Sequence, residues 1–188
     1  MKEKYIILSV IGMSAGETKE EILERKIKDI NKIGFTFWIY KSNQASPKTV
    51  QDFCKKAKTE NKKVFCIFIE PSTPNGTRPT KINLSAKEFS TDNKKWKKLP
   101  PKLGPVTGAI NRNVYALKFG KIEKINSSIN LWDYADYLTK KSINIRLGNS
   151  TLCAIKKNTN KGGDRMKTPI RRVIAVGHFR KPFCVWVR

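Results

Sequence analysis

Three apolar runs separated by two capped amphipathic segments fill the first 70 residues and leave few ways to fold them. Tyr5–Ile11 is a continuous apolar run of the kind found in strands buried on both faces. Thr18-Lys19-Glu20-Glu21 is a capping box, in which the hydroxyl takes the backbone N–H three residues on while Glu21 reaches back. Ile22, Leu23, Ile27, Ile30 and Ile33 then recur at helical spacing until Gly34, a natural C-terminal stop. Phe35–Tyr40 reads as a second strand. Ser46-Pro47 offers an N-cap and a proline in the first turn, where its missing N–H costs nothing. Val50, Phe53, Cys54 and Ala57 follow at i, i+3, i+4 and i+7, one apolar stripe to lay on a sheet. Lys62-Lys63 leads into the third strand, Val64–Ile69. The pattern predicts helices over about 18–33 and 46–60, within a β-α-β-α-β half spanning 1–70. Two helical crossovers between apolar strands favour a parallel or mixed sheet.

Composition changes at Glu70. Prolines 71, 74, 79, 100, 101 and 105, with Gly76 and Gly104, frame an irregular connection over 71–112. Residues 113–188 read as a basic, β-rich half: Val114–Ile125, Ile145–Ile155, and Arg171–Phe179 closing on Phe183–Val187 around Arg180-Lys181-Pro182. Trp132–Tyr137 reads as a short helix or turn between them. At 188 residues the chain fits a single domain, of α+β or α/β class. Cys54, Cys66, Cys153 and Cys184 lie far apart and form no metal-ligand pair, so buried free thiols are expected. No stretch approaches the ~18 apolar residues of a membrane span. The opening residues read as a first strand and not a signal peptide, and an intracellular, soluble, cytoplasmic protein is expected, a nucleoid or nuclear location being compatible.

Charge narrows the class of partner. Lys and Arg number 39 against 15 Asp and Glu, a net charge of +24. Residues 1–60 hold 12 basic and 8 acidic residues, whereas 61–188 hold 27 and 7. Such a field repels itself unless a polyanion shares it, so nucleic acid is the expected partner, alone or within a larger protein or nucleoprotein complex. Neither predicted helix has the lysine-rich amphipathic face of a membrane-surface binder. Two clusters carry the expectation. Lys94, Lys95, Lys97 and Lys98 surround Trp96, on whose ring an unpaired base could stack. Lys156, Lys157, Lys161, Arg165, Lys167, Arg171 and Arg172 surround Gly162-Gly163, where arginine forks and turn amides suit phosphate. The competing readings are a solvated loop with an anchoring tryptophan, and a surface loop kept soluble by its charge.

Candidates for catalysis are sparser. Gly12-Met13-Ser14-Ala15-Gly16 matches the GxSxG nucleophile elbow, after a strand and before a capped helix. Ser14 would attack, with the single histidine, His178, as base and Asp133, Asp136 or Asp164 to orient it. An elbow after the first strand is out of place, and an esterase has no use for the charge; two glycines shaping a tight turn account for it. The segment also lacks the lysine and hydroxyl pairing of a phosphate-binding loop. His178 alone suits metal-independent nuclease chemistry, with Arg172 or Lys181 stabilising charge on phosphorus. Glu70, Glu123, Asp133, Asp136 and Asp164 show no metal-ligand spacing, and no metal or cofactor is expected.

Trp38, Tyr40, Trp132, Tyr134 and Tyr137 suggest a cage for a flipped or modified base, against core packing as the alternative. Phe35-Thr36-Phe37-Trp38-Ile39-Tyr40-Lys41-Ser42 resembles the opening strand of the PUA-like and YTH/EVE-type base readers over those eight residues, and nothing later in the chain matches. The reading as a whole is a nucleic-acid-binding subunit or accessory factor without catalysis. A His178 nuclease, a modified-base reader and a Ser14 acyl hydrolase stand as alternatives. Abundant lysine and asparagine suit an AT-rich microbe, virus or mobile element, where small basic factors serve replication or defence.

Overall fold

The chain begins with β1 (Tyr5–Val10), α1 (Lys19–Ile33), β2 (Thr36–Tyr40), α2 (Pro47–Thr59) and β3 (Val64–Ile69), the β-α-β-α-β order its apolar runs predict. β4 (Glu88–Ser90) and β5 (Lys97–Lys98) form a small hairpin. β6 (Val114–Asn130), a 3-10 turn (Leu131–Asp133), β7 (Tyr134–Asp136), β8 (Thr151–Ile155) and β9 (Ile170–Val187) complete it. The computed structural model describes residues 4–11, 17–40, 45–71, 86–106, 114–140, 143, 151–155 and 170–188. The fold is α+β: one mixed sheet ordered β2-β6-β9-β3-β1-β8-β7, with the β4–β5 hairpin attached to β9. β1 and β3 pair in parallel and the other pairs are antiparallel, so β2, although joined to each of them through a helix, runs opposite to both.

Local chemistry explains both helices. Thr18 Oγ1 accepts the Glu21 N–H at 3.2 Å while the Glu21 carboxylate accepts the Thr18 N–H at 2.7 Å. Ser46 and Thr49 make the same reciprocal pair at the start of α2. Each cap contributes about 1 kcal/mol. α1 stops at Gly34, whose φ of 78° lies in the left-handed region and whose N–H reaches Ile30 O at 2.7 Å. The α2 stripe Val50, Phe53, Cys54 and Ala57 is buried against the sheet. Complete burial of Val50 and Phe53 stabilises by about 1.5–3 kcal/mol each.

Strand alternation divides the interior. Tyr5 and Ile7 join the core beneath the two helices, while Ile6 and Leu8 join a second core on the other face with Ile129, Leu131 and Tyr134. A third core, around Phe37, Ala116, Val185 and Val187, lies under the hairpin.

The structure departs from the sequence reading in three places. The stretch from Arg171 to Val187 is one strand and not two closing around a turn, because β6 pairs with it on both sides of the interruption. Within the connection expected to be irregular, residues 86–106 hold the β4–β5 hairpin and a segment folded onto α1. That segment buries a polar side of α1 beside the predicted apolar stripe. Asp29 accepts from Gly104 N and Thr36 Oγ1, both at 2.8 Å, and Lys26 Nζ reaches Pro105 O at 3.4 Å. Burial, with the Arg25 charge nearby, lowers the Lys26 pKa to about 7.

Candidate nucleic-acid interface

The hairpin cluster and the described part of the second cluster, Arg171 and Arg172, meet β9 toward opposite ends. The β4–β5 hairpin docks through Phe89 and Ser90 on Val187 and Trp186. Arg171 and Arg172 begin β9, fourteen residues from Trp186. That is a strand contour of about 45 Å at full extension. Lys156, Lys157, Lys161, Arg165 and Lys167 lie outside the described residues.

In the hairpin, Asp92 organises the turn. Its Oδ1 accepts the backbone N–H of Lys94 and of Lys95, both at 2.8 Å, and the Ser90 hydroxyl at 2.9 Å. Those hydrogen bonds hold the Asp92 carboxyl down at about 2. Lys94, Lys95, Lys97 and Lys98 are exposed. Trp96 is half-buried, with the Arg188 guanidinium 4.1 Å from its ring centre. Arg188 is itself paired with Glu88 at 2.8 Å, so one face of the indole is already engaged. At the other end of β9, Arg171 is buried, while exposed Arg172 lies 3.5 Å from Glu70 and bonds Asn126. Glu70 also takes the Lys19 ammonium.

Between these ends the fold builds a third basic feature. Phe119 of β6 faces Phe179 and Leu117 faces Cys184, so Arg180–Phe183 bulge from β9 opposite Lys118 alone. The bulge is tied down: Lys118 Nζ donates to Lys181 O at 3.3 Å, and the Arg180 guanidinium donates to Gly34 O. It faces the second half of α2. Bulge, helix and the α2–β3 turn enclose a cleft of about 700 Å³. Lys55 and Lys58 come from the helix, Lys62 and Lys63 from the turn, and Lys181 from the bulge; all five are exposed. Phe65, Phe179, Pro182 and Phe183 supply apolar walls. Lys55 lies 3.7 Å from Asp52. Among the described residues, Lys58, Lys62, Lys63 and Lys181 have no carboxylate within ion-pair distance. Lysines near a helix C-terminus complement its dipole, which accounts in part for Lys58.

His178 stands in the cleft wall, edge-on to Phe65 with ring centres 5.2 Å apart. Its Nε2 lies 2.5 Å from Glu123 Oε2. The carboxylate beside the imidazole is therefore Glu123, from the neighbouring strand. Asp136 instead caps its own turn, accepting from the backbone of Leu138 and Thr139. Lys121, and then His178, lower the Glu123 pKa. Cys54 lines the cleft, but burial raises its thiol to about 12, which leaves no thiolate at neutral pH. Ser14 lies outside the described residues. Among the described residues no three His, Cys, Asp or Glu side chains converge as a metal site, and no helix is long and apolar enough to cross a membrane.

The five aromatic residues considered for a base cage are divided. Tyr40 is fully buried, and Trp38 and Tyr137 pack against the same core. Tyr134 belongs to the core on the opposite sheet face, and Trp132 is exposed.

Lys55 and Lys58 escape the sequence reading because residues 1–60 average out nearly neutral, and Lys62 and Lys63 because they read only as the lead into a strand; Lys181 was named, but for a different role. The signal is local: residues 55–63 carry five lysines against Glu60 alone. No family model, curated protein or solved structure matches the chain.

Proposed function

We propose that this protein binds nucleic acid, chiefly by its phosphates, and that the cleft between α2 and the β9 bulge is the principal contact. One observation carries the reading: Lys58, Lys62 and Lys63, close in sequence, and Lys181 from the bulge converge on one concavity, with no described carboxylate within ion-pair distance of them. Leaving that repulsion in place is costly unless a polyanion enters. The hairpin lysines and Arg172 would extend the track along the strand. The protein acts as a binding subunit or accessory factor, presenting nucleic acid to a partner complex.

Fluorescence anisotropy with labelled DNA and RNA, titrated over salt, tests this. Log K is expected to fall linearly with log[salt], with slopes of roughly −0.7 per single-strand phosphate neutralised and −0.9 per duplex phosphate. Salt-insensitive affinity, or no retention at low salt, contradicts it. A pull-down with and without nuclease separates nucleic acid from an acidic protein partner.

The His178–Glu123 contact favours one second reading, metal-independent cleavage of a strand seated in the cleft. Cleavage that persists in EDTA and is lost in His178→Ala would establish it and displace the non-catalytic reading.

A further inference from the structure

We infer that the cleft seats an unpaired nucleotide of a strand, with phosphate at its lysine rim and the base against the aromatic rings of Phe179 and Phe183 at the bulge. This rests on the nucleic-acid reading above and adds to it what enters and in which form.

Size, wall chemistry and rigidity point the same way. A volume of about 700 Å³ lies within the usual range for pockets that enclose one small organic ligand. A surface holding only phosphates needs no apolar walls, yet Phe179, Pro182 and Phe183 line this one beside Lys181. These rings are half-buried, unlike Phe37, Phe53, Phe68 and Phe119, which the cores enclose completely. Phe179 is held edge-on to Phe183 at 6.3 Å and against Phe119 at 5.0 Å. The bulge is itself pinned by Lys118 and Arg180, so little ordering remains to be done on binding. Cations at the rim and flat apolar groups within match the two halves of a nucleotide. In a duplex the bases are stacked inside, and one can enter only after flipping out at a cost of a few kcal/mol. Single strands therefore bind preferentially.

The test compares Phe183→Leu, which keeps apolar volume and loses the flat face, with Phe183→Tyr, which restores a ring. Each is checked by thermal melting and titrated with a 12-nucleotide single strand, the same strand made abasic, its duplex, AMP and inorganic phosphate. Phe183→Leu is expected to lose about 5- to 150-fold on the native single strand, the equivalent of ~1–3 kcal/mol per stacked base. Its salt slope should be unchanged, and Phe183→Tyr should recover the affinity. The abasic strand should bind the unmodified protein as weakly as the native strand binds Phe183→Leu. Equal binding of native and abasic strands, or equal losses on single strand and duplex, overturns the inference while a retained salt slope leaves the nucleic-acid reading standing. AMP competing as well as the oligonucleotide assigns the cleft to a free nucleotide and also overturns it. No salt-dependent binding of any nucleic acid removes both.

Discussion

The α2–β9 cleft and the β4–β5 hairpin are both made of lysines around aromatic rings, but they hold them differently. The hairpin's lysines are neighbours in sequence on an exposed turn, tied to Asp92 through their backbone. Its tryptophan is engaged by Arg188, and Arg188 by Glu88, so the aromatic and cationic groups there partly satisfy one another. Four of the cleft's five lysines also lie close in sequence, within residues 55–63, but Lys181 joins them from the bulge and half-exposed rings stand beside them. A contiguous charge run is readily solvated. A charge run that the fold brings against a further lysine from a distant strand, with apolar surface left beside them, needs a reason from outside the fold.

Charge reversal should separate the two regions most sharply. Lys58→Glu with Lys63→Glu is expected to reduce the magnitude of the salt slope by about 2, one phosphate contact per lysine, and to abolish binding at moderate salt. Lys95→Glu with Lys98→Glu should change the slope by less than about 1. Equal effects would erase the distinction.

A buried lysine provides the contrast between hydrated and desolvated charge. Lys26 keeps its proton to about pH 7 when folded, against 10.5 for a free side chain. Between those values the unfolded chain binds the extra proton, so stability rises with pH through that window. Lys26→Met should flatten the rise in pH-dependent denaturant melts and leave oligonucleotide affinity unchanged, whereas losing a cleft lysine should do the reverse.

Smaller effects belong to the hairpin. Trp96→Ala forfeits the Arg188 contact, about 0.5–1 kcal/mol of stability, and should cost less single-strand affinity than Phe183→Leu. A larger binding loss would make the hairpin the stacking platform. Asp92→Ala should speed amide exchange at Lys94 and Lys95 and do little elsewhere. In the unmodified chain this turn should hold as pH falls toward 4 and loosen toward 2, since a carboxyl lowered to about 2 contributes only while ionised.

Local signals made the first half legible. Capping boxes and the Val50-Phe53-Cys54-Ala57 stripe place both helices to within a residue or two, because those interactions lie within one or two turns. Lys26 and Asp29 were beyond reach, since their burial depends on a segment some 75 residues away that folds over them. The bulge was legible only as a break. Arg180-Lys181-Pro182 looks like a turn, and only the long pairing with β6 shows that the strand continues past it. His178 and Glu123 were each visible as candidates, but their pairing was not, because cross-strand register brings the two together. The cleft has the same origin: α2, the following turn and the bulge meet through sheet order, which no local window contains.

Photocrosslinking tests the cleft directly. A single-stranded oligonucleotide carrying photoreactive bases, irradiated on the full chain and mapped by mass spectrometry, should mark peptides from Lys55–Phe65 and His178–Phe183. Adducts confined to residues 94–98 or 156–172, or none at all, would contradict the assignment.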